Sequence, residues 1–340
     1  MTRAISAGRK ARGLLCELLA TLAGAALSCV ALDVSAQTAA AANYPSRPIR
    51  FILPFPPGGG TDIVGRLLAQ KLSEEVGQPV VPENRPGAGG NVGNEAAAKS
   101  PPDGYTLVIC TTSLAVSKTL YKKLGYDPEK DLTPIGLVAA NPQVLSVHPS
   151  LPARSMKELV QLARTHPGSV SFGTGGPGTT NDLVAQLFKS SNRVNVLIVP
   201  YKGITPATVA VLGGHVHAVV IGVASAVPYV KGGKLRPLAM LAPQRSPMLA
   251  TVPTAAESGY PELEAVLWYV MMAPAGTPQP IIARLSDVFA RIVAAPDTRA
   301  KMLAVGAEPM TSTPQQFTDF YRKEVARWGK VIREAGATAD

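Results

Sequence analysis

The sequence has few cysteines, few aromatic residues and few charges. Three cysteines occur in 340 residues, and two of them, Cys16 and Cys29, lie in an apolar N-terminal stretch. Cys110 alone remains in the rest of the chain, so an intramolecular disulfide and a cysteine-ligated metal site are both excluded there. Charged residues make up 16% of the chain and aromatic residues 5%, whereas 46% is hydrophobic. A sizeable buried core is therefore expected.

The charge balance is basic, with a formal net charge of +10 at pH 7. A basic protein attracts anions from a distance. The sequence lacks a Lys/Arg run interleaved with aromatic residues, which is the pattern typical of nucleic-acid-binding segments, so no nucleic-acid partner is predicted. The apolar run at residues 267–275 is too short to span a bilayer.

The N-terminal stretch has the pattern of a secretory signal. Four basic residues precede an apolar segment over residues 14–32, which Glu17 interrupts. Residues 34–36, Val-Ser-Ala, resemble the small-residue cleavage pattern. Residues 1–36 are therefore predicted to be a signal peptide that directs export. An N-terminal membrane anchor is the competing interpretation, which Glu17 and the short apolar run disfavour.

The stretch at residues 51–62, Phe-Ile-Leu-Pro-Phe-Pro-Pro-Gly-Gly-Gly-Thr-Asp, is the predicted functional centre. An apolar strand at residues 49–55 runs into a Pro/Gly turn, and a helix with one apolar face follows, for which Thr61 or Asp62 is the expected N-cap. Glycines let backbone N–H groups approach a ligand, and the helix dipole favours negative charge there, so the turn predicts an anion site. A packing turn without a ligand is the alternative. A Walker A loop is excluded because no Gly-Lys-Ser/Thr follows.

Strand–turn–helix units recur along the chain. The first series has predicted strands at 49–55, 80–84 and 106–112. The second series begins at Ser155 and repeats the same order of strand, turn and helix. Such units predict a parallel α/β sheet whose ligands bind at the carboxyl ends of the strands. Two apolar stretches, 135–147 (broken at Asn141-Pro142) and 264–272, are predicted to cross between two domains, which implies a hinge and a cleft. The predicted domains are 44–146 with 266–340, and 147–265.

Three other kinds of site have little support. Residues 173–178 match Gly-x-Gly-x-x-Gly after a strand, but the acidic residue expected at the end of the next strand is absent, which disfavours a dinucleotide site. His215 and His217 could share one side of a strand, but no third metal ligand is evident. A hydrolase elbow, Gly-x-Ser-x-Gly, does not occur. The sequence therefore predicts no cofactor, no metal and no catalysis.

Two glycine- and hydroxyl-rich turns remain, at residues 57–62 and 175–180, one in each predicted domain. Each offers backbone N–H groups and small hydroxyls, and together they are predicted to hold the two ends of a small dianion without a buried arginine. The predicted ligand-binding residues are Phe55, Gly58, Gly59, Thr61, Asp62, Asn84, Thr112, Gly176, Gly178, Thr179, Thr180 and Tyr201.

Several ordered motifs resemble the Bug family, the substrate-binding proteins of tripartite tricarboxylate transport systems. The resemblance covers essentially the whole chain after the signal. Its motifs are Tyr-Pro-x-Arg-Pro-Ile (44–49), Pro-Gly-Gly-x-x-Asp (57–62), Glu-Asn-Arg-Pro-Gly-Ala-Gly-Gly (83–90), Pro-Asp-Gly-Tyr-Thr (102–106), Pro-Tyr-Lys-Gly (200–203), Val-Pro-Thr-x-x-Glu-Ser-Gly-Tyr (252–260) and Ala-Pro-Ala-Gly-Thr-Pro (273–278).

The resemblance implies a periplasmic, monomeric solute-binding protein with the bilobed type II periplasmic-binding-protein fold: two Rossmann-like α/β lobes that close over a small carboxylate for delivery to membrane permease subunits. It places a ligand carboxylate on the loop 57–62, with Asp62 helping to hold bridging waters, and the opposite end of the ligand on the loop 175–180. A sensor subunit that signals to a membrane partner, or an enzyme on the same scaffold, is the alternative.

The chain departs from the family pattern in the second lobe. Residues 179–182 read Thr-Thr-Asn-Asp where the family often has Ser-x-x-His. Ile221 and Gly222 stand where Asp or Asn is frequent, and His217 stands where an acid is common. These departures predict fewer polar contacts from the second lobe and a ligand with an apolar or aromatic part.

Overall fold

A mixed sheet of ten strands runs through the part of the chain that the computed structural model describes, residues 43–339. From Arg47 onward the chain forms one compact unit. The predicted signal peptide, residues 1–36, lies outside the described residues. No helix within residues 43–339 combines the length and the apolar character that crossing a bilayer requires.

The first half of the sheet carries three parallel strands, as the strand–turn–helix pattern predicted. They are β1 (Ile49–Leu53), β2 (Val80–Asn84) and β3 (Thr106–Thr111), in the order β2-β1-β3. Strand β1 is mostly buried and all six residues of β3 are buried, whereas β2, at the edge of the sheet, buries only Val80. Cys110 lies in this strand as a small core residue, and burial raises the pKa of its thiol.

The second half of the sheet repeats this arrangement. It is formed by β5 (Ser171–Thr174), β6 (Leu197–Pro200), β7 (Ala218–Gly222) and β8 (Arg236–Met240). Strand β5 lies between β6 and β7 and is parallel to both.

Two long strands join the halves and run antiparallel to their neighbours. Strand β4 (Leu132–Val147) pairs with β9 (Val266–Pro274) along its first part and with β7 and β8 along its last part. The predicted break of β4 at Asn141-Pro142 is wrong, because the strand continues for 16 residues. Pro142 has no N–H to donate, but it lies where β4 changes partner: Pro142 is opposite Val266, and the next residue pairs with β7. A short strand, β10 (Glu308–Pro309), pairs with β4.

Helices cover the sheet and connect its strands. They are α1 (Gly60–Val76), α2 (Asn91–Ala98), α3 (Ser117–Leu120), α4 (Met156–Thr165), α5 (Thr180–Asn192), α6 (Ile204–Leu212), α7 (Val223–Lys231), α8 (Gln279–Ala294), α9 (Pro296–Ala304) and α10 (Pro314–Ala335). Single 3₁₀ turns occur at Ala88–Gly90, Thr112–Ala115, Pro247–Leu249 and Pro261–Leu263.

The C-terminal helix α10 is held to strand β9 by two tryptophans. The indole N–H groups of Trp268 and Trp328 both donate to the same oxygen, Oε2 of Glu324, at 3.0 Å. Both rings are buried, and Trp268 packs edge-on against Phe317. Both tryptophans are therefore core residues, and the shared carboxylate satisfies both buried donors.

Candidate ligand-binding cleft

A cavity of about 450 Å³ lies between the two halves of the sheet. Its walls are the loop before α1, the start of α5, the partner change of β4, and residues of α6, α7 and the end of α9. This volume is in the range of small-molecule sites. None of the described residues that line the cavity carries a charged side chain.

The first wall is the loop before α1. Gly58 has a φ of +82°, a conformation that favours glycine. Helix α1 begins at Gly60 with Gly59 as its N-cap, so the predicted N-cap at Thr61 or Asp62 is wrong by two or three positions. Among the described residues, no hydrogen-bond acceptor occupies the N–H groups of Gly59, Gly60 and Thr61. These donors lie at the cavity, at the positive end of the helix dipole.

Asp62 lies beneath this loop and holds it in shape. Its Oδ2 accepts from the Gly58 N–H at 3.0 Å. Its Oδ1 accepts from Asn84 Nδ2 at 2.8 Å and from Arg66 Nε at 2.9 Å. The Asn84 amide also donates to the Phe55 carbonyl at 3.0 Å, which fixes the end of the preceding strand. Asp62 is 4% exposed and does not line the cavity.

The surroundings keep Asp62 ionised. Burial alone would raise the pKa of its carboxyl, but the hydrogen bonds from Gly58, Asn84 and Arg66 outweigh burial and lower it below its ordinary value. The negative charge of Asp62 is therefore stabilised by these three donors beneath the loop. Asp62 and Asn84 act on the cavity through the loop that they hold.

The second wall is the loop before α5, and it has the same construction. Gly178 has a φ of +78°, and its N–H donates to Oδ2 of Asp182 at 3.1 Å. Helix α5 begins at Thr180 with Thr179 as its N-cap. Within the described chain, the N–H groups of Thr180 and Asn181 meet no acceptor. Both loops thus read Pro-Gly-x-x-x-Asp, with the aspartate at the third helical position.

The two aspartates differ in their partners. Asp182 is 4% exposed, and among the described residues neither an arginine nor an asparagine lies beside its carboxylate like those around Asp62. Burial raises the pKa of Asp182 to about 6, and the Gly178 N–H opposes that rise. The loop before α5 is braced instead by Asn181, whose Oδ1 accepts from the Gly175 N–H at 2.7 Å, and by the Thr179 hydroxyl, which donates to the Gly176 carbonyl at 2.7 Å.

The crossing strands supply polar side chains that the sequence analysis missed. Asn141 and Gln143 of β4 and Tyr269 of β9 are buried and line the cavity. Gln143 Nε2 donates to the Asn141 carbonyl at 2.9 Å. For Asn141 and Gln143, the sequence signal is the motif Asn-Pro-Gln inside a largely apolar strand.

Two buried hydroxyls at the cavity have no hydrogen-bond partner among the described residues. They are the hydroxyls of Tyr269 and Thr180. Burial raises the pKa of Tyr269 to about 12, so the phenol is neutral and able to donate. A Cβ built on Gly60 would lie 3.3 Å from this phenol oxygen and 3.9 Å from Asn141 Nδ2. The backbone of the first loop and the donors of the crossing strands therefore meet at one point.

The wall on the side of β7 is apolar. Ile221 and Gly222 line it together with Val209 and Leu267. A Cβ on Gly222 would lie 2.6 Å from Oδ1 of Asn141, so the Asn141 amide fills the space that a side chain at residue 222 would need. The family often has a polar residue at the end of β7, where this chain has Ile221 and Gly222. Here the polar group at that place is the Asn141 amide of β4.

The structure places the predicted site residues in three groups. Those that line the cavity are Phe55, Gly58, Gly59, Thr61, Thr179 and Thr180. Those that lie beneath the first loop are Asp62 and Asn84. Those outside the cavity lining are Thr112, Gly176, Gly178 and Tyr201. The Thr112 hydroxyl instead accepts from the backbone N–H of Trp268 at 3.2 Å. The ligand-binding role of these residues stays a prediction.

His217 faces Ser171. Its Nδ1 is 2.8 Å from the serine hydroxyl, in contact with the start of β5. Burial lowers the pKa of His217, and His148 lowers it further. Within residues 43–339, no three His, Cys, Asp or Glu side chains are grouped to hold a metal ion.

The comparison with known families agrees with this geometry. Residues 64–337 match the model of the tripartite tricarboxylate transporter family receptor, TctC. The chain belongs to the TctC/Bug family. This confirms the resemblance predicted from the motifs. TctC/Bug proteins are solute-binding receptors, so the prediction that the protein is not an enzyme is confirmed as well.

Individual TctC/Bug relatives match along most of their length. BugT of Bordetella pertussis is 40% identical over 310 residues, which are 91% of this chain and 94% of BugT. The structure of R. palustris Rpa4515 with adipate has 37% identity and a TM-score of 0.81, and the match covers 87% of this chain and 99% of that chain. MatC from Rhodopseudomonas palustris with bound malate has 30% identity and a TM-score of 0.79, covering 85% and 100%. The predicted α/β fold of the periplasmic binding proteins is confirmed.

Proposed function

We propose that this TctC/Bug protein captures a small carboxylate in the cleft between the two halves of its sheet, in the periplasm, and delivers it to a tripartite tricarboxylate-type transporter. The observation that carries the proposal is the arrangement of donors. Two helix starts open into one cavity, and within residues 43–339 their N–H groups meet no acceptor and the cavity lining has no charged side chain. Neutral, fixed donors stabilise a carboxylate without requiring a buried cation to be desolvated.

The relatives support the choice of ligand class. The ligands named for two relatives, adipate and malate, are both dicarboxylates. The ligand of this chain belongs to the wider class of small organic, amino or aromatic acids. The apolar wall at Ile221, Val209 and Leu267 favours an acid that has an apolar segment.

The two strands that cross between the halves, β4 and β9, would allow the cleft to close over a ligand. We propose that residues 44–146 with 266–340 form one lobe and residues 147–265 the other. Strand β4 passes from one half to the other at Pro142, where it changes from β9 to β7 as its partner. Rotation about this point would open the cleft and admit the ligand.

The experiment is mass spectrometry of the natively purified protein after release of its ligand by denaturation, followed by calorimetric titration with the acid found. Adipate and malate serve as first probes, and the matching primary amide of each acid is the control. We expect binding of an acid and little binding of its amide, because the donors at the helix starts favour a negative charge. Equal binding of acid and amide, or a released ligand without a carboxyl group, would contradict the proposal.

A further inference from the structure

A contact outside the cavity joins the two halves of the molecule directly at the second loop. The hydroxyl of Tyr121, the residue after α3, donates to the backbone carbonyl of Pro177 at 3.3 Å. Pro177 immediately precedes Gly178, whose N–H is held by Asp182, and Thr179, which lines the cavity. Tyr121 thus contacts the second loop one residue before the segment that the ligand would meet.

The contact depends on two glycines. Gly89 has a φ of +63°, and a Cβ there would lie 2.8 Å from the same Pro177 carbonyl oxygen. On the opposite side, a Cβ on Gly178 would lie 2.7 Å from Cδ2 of Leu120. The backbones approach this closely only because neither residue carries a side chain.

We infer that Tyr121, Gly89 and Pro177 form a clasp that holds the second loop against the first half of the molecule when the cleft is closed. The inference rests on the proposed function, and it adds a determinant of affinity that does not touch the ligand. Tyr121 and Gly89 are positioning residues. They stabilise the closed form, and the ligand is bound more tightly because the closed form is more populated.

The clasp adds a bond from the first half of the molecule to a loop that its own residues already brace. Within the described chain, Asn181 Oδ1 accepts from the Gly175 N–H at 2.7 Å, and the Thr179 hydroxyl donates to the Gly176 carbonyl at 2.7 Å. The Tyr121 hydroxyl adds one hydrogen bond from outside the loop. The second loop is thus braced by its own residues and is also contacted from the other half of the molecule.

The first test is Tyr121→Phe, which removes only the hydroxyl. Its control is Tyr260→Phe, since no hydrogen bond of the Tyr260 hydroxyl occurs within the described residues. For Tyr121→Phe, we expect a Kd for the wild-type ligand, or for adipate as the first probe, that is about three- to tenfold higher, mainly through faster dissociation. The melting temperature without ligand should match that of the control.

The second test is Gly89→Ala, with Gly77→Ala as the matched control. Gly77 has a φ of +69°, close to that of Gly89, but a Cβ there meets nothing within 4 Å. Both substitutions carry the same backbone strain, and only Gly89→Ala adds a clash with the Pro177 carbonyl. We expect a larger loss of affinity for Gly89→Ala than for Tyr121→Phe, and wild-type affinity for Gly77→Ala.

Hydrogen exchange separates the clasp from the ligand proposal. Amides of residues 175–183 should exchange faster in Tyr121→Phe and Gly89→Ala than in the two controls, in the protein as purified. Unchanged exchange and unchanged Kd in both variants would overturn the clasp. If the wild-type protein binds no carboxylate, the proposed function fails, while the exchange rates still decide the clasp.

Discussion

Asp62 and Asp182 occupy the same place in the two loops of the cleft. Each accepts a hydrogen bond from the backbone N–H of the glycine four residues earlier, Gly58 at 3.0 Å and Gly178 at 3.1 Å. Each lies at the third position of the helix that begins at the cavity. The two halves of the molecule therefore turn helix starts toward the cavity in the same way, in which a buried carboxylate braces a glycine turn.

Replacement of Asp62 by alanine should weaken both stability and ligand binding. It removes the acceptor for three donors, Gly58, Asn84 and Arg66. We expect unfolding to be easier by about 1–3 kcal/mol, because buried donors lose their partner. The control is Asp319→Ala, whose carboxylate is 56% exposed and whose partners in the described chain, Arg322 and Gln315, form exposed contacts with it. Thermal unfolding and calorimetry check this prediction, and a variant with wild-type stability would show that Asp62 does not brace the loop.

Asp182 should make stability fall as the pH rises from about 4 to about 6. Its folded-state pKa is raised from 3.8 to about 6, so its contribution is fully present below the unfolded-state pKa and is lost as the pH rises through the folded-state pKa. The change should be up to about 3 kcal/mol, from the size of the shift. Asp62, whose pKa is lowered, acts in the opposite sense, and its contribution is lost as the pH falls through its folded-state pKa.

Urea unfolding at several pH values measures this effect. Asp182→Asn keeps an oxygen that can accept from the Gly178 N–H but does not titrate, so the slope of stability against pH should be smaller in this variant between pH 4 and 6. Identical slopes in the variant and the wild type would show that Asp182 is not the titrating group.

Tyr269→Phe should weaken ligand binding without lowering stability. The phenol hydroxyl is buried at the cavity and makes no well-directed hydrogen bond to a described residue, so its removal should cost the folded protein little. A hydrogen bond from this hydroxyl to a carboxylate would be charge-assisted, and its loss should raise Kd about tenfold or more. Thr298→Val is the control, because the Thr298 hydroxyl is likewise buried and unpartnered but lies outside the cavity lining. Equal Kd values for the two variants would place Tyr269 outside the ligand contacts.

Gly222→Ala should reduce affinity through Asn141. The added Cβ would lie 2.6 Å from Asn141 Oδ1, so the amide must move away from its place at the cavity. We expect about a tenfold higher Kd for Gly222→Ala and for Asn141→Ala, and little further loss in the double variant, because both changes remove the same group. Fully additive losses in calorimetry would mean that residue 222 acts independently of Asn141.

Much of this molecule follows from local sequence patterns. Apolar runs and glycine turns predicted the strands β1, β2 and β3 and the helix that starts beside them, because hydrophobic period and turn chemistry act over a few residues. The boundaries were less accurate: α1 begins at Gly60, and β4 runs through the predicted break at Asn141-Pro142. Helix α3 and strand β10 were not predicted, since four and two residues carry too little periodicity.

The sequence by itself determined the family, the strand–turn–helix units and the glycine loop before α1, since these depend on neighbours in the chain. Only the tertiary structure decided which residues share the cavity. Tyr269 and Asn141 meet the first loop because of the register between β9 and β4, and Tyr121 meets Pro177 because two distant backbones approach across the cleft. Such contacts depend on how the halves pack against each other, which no local pattern records.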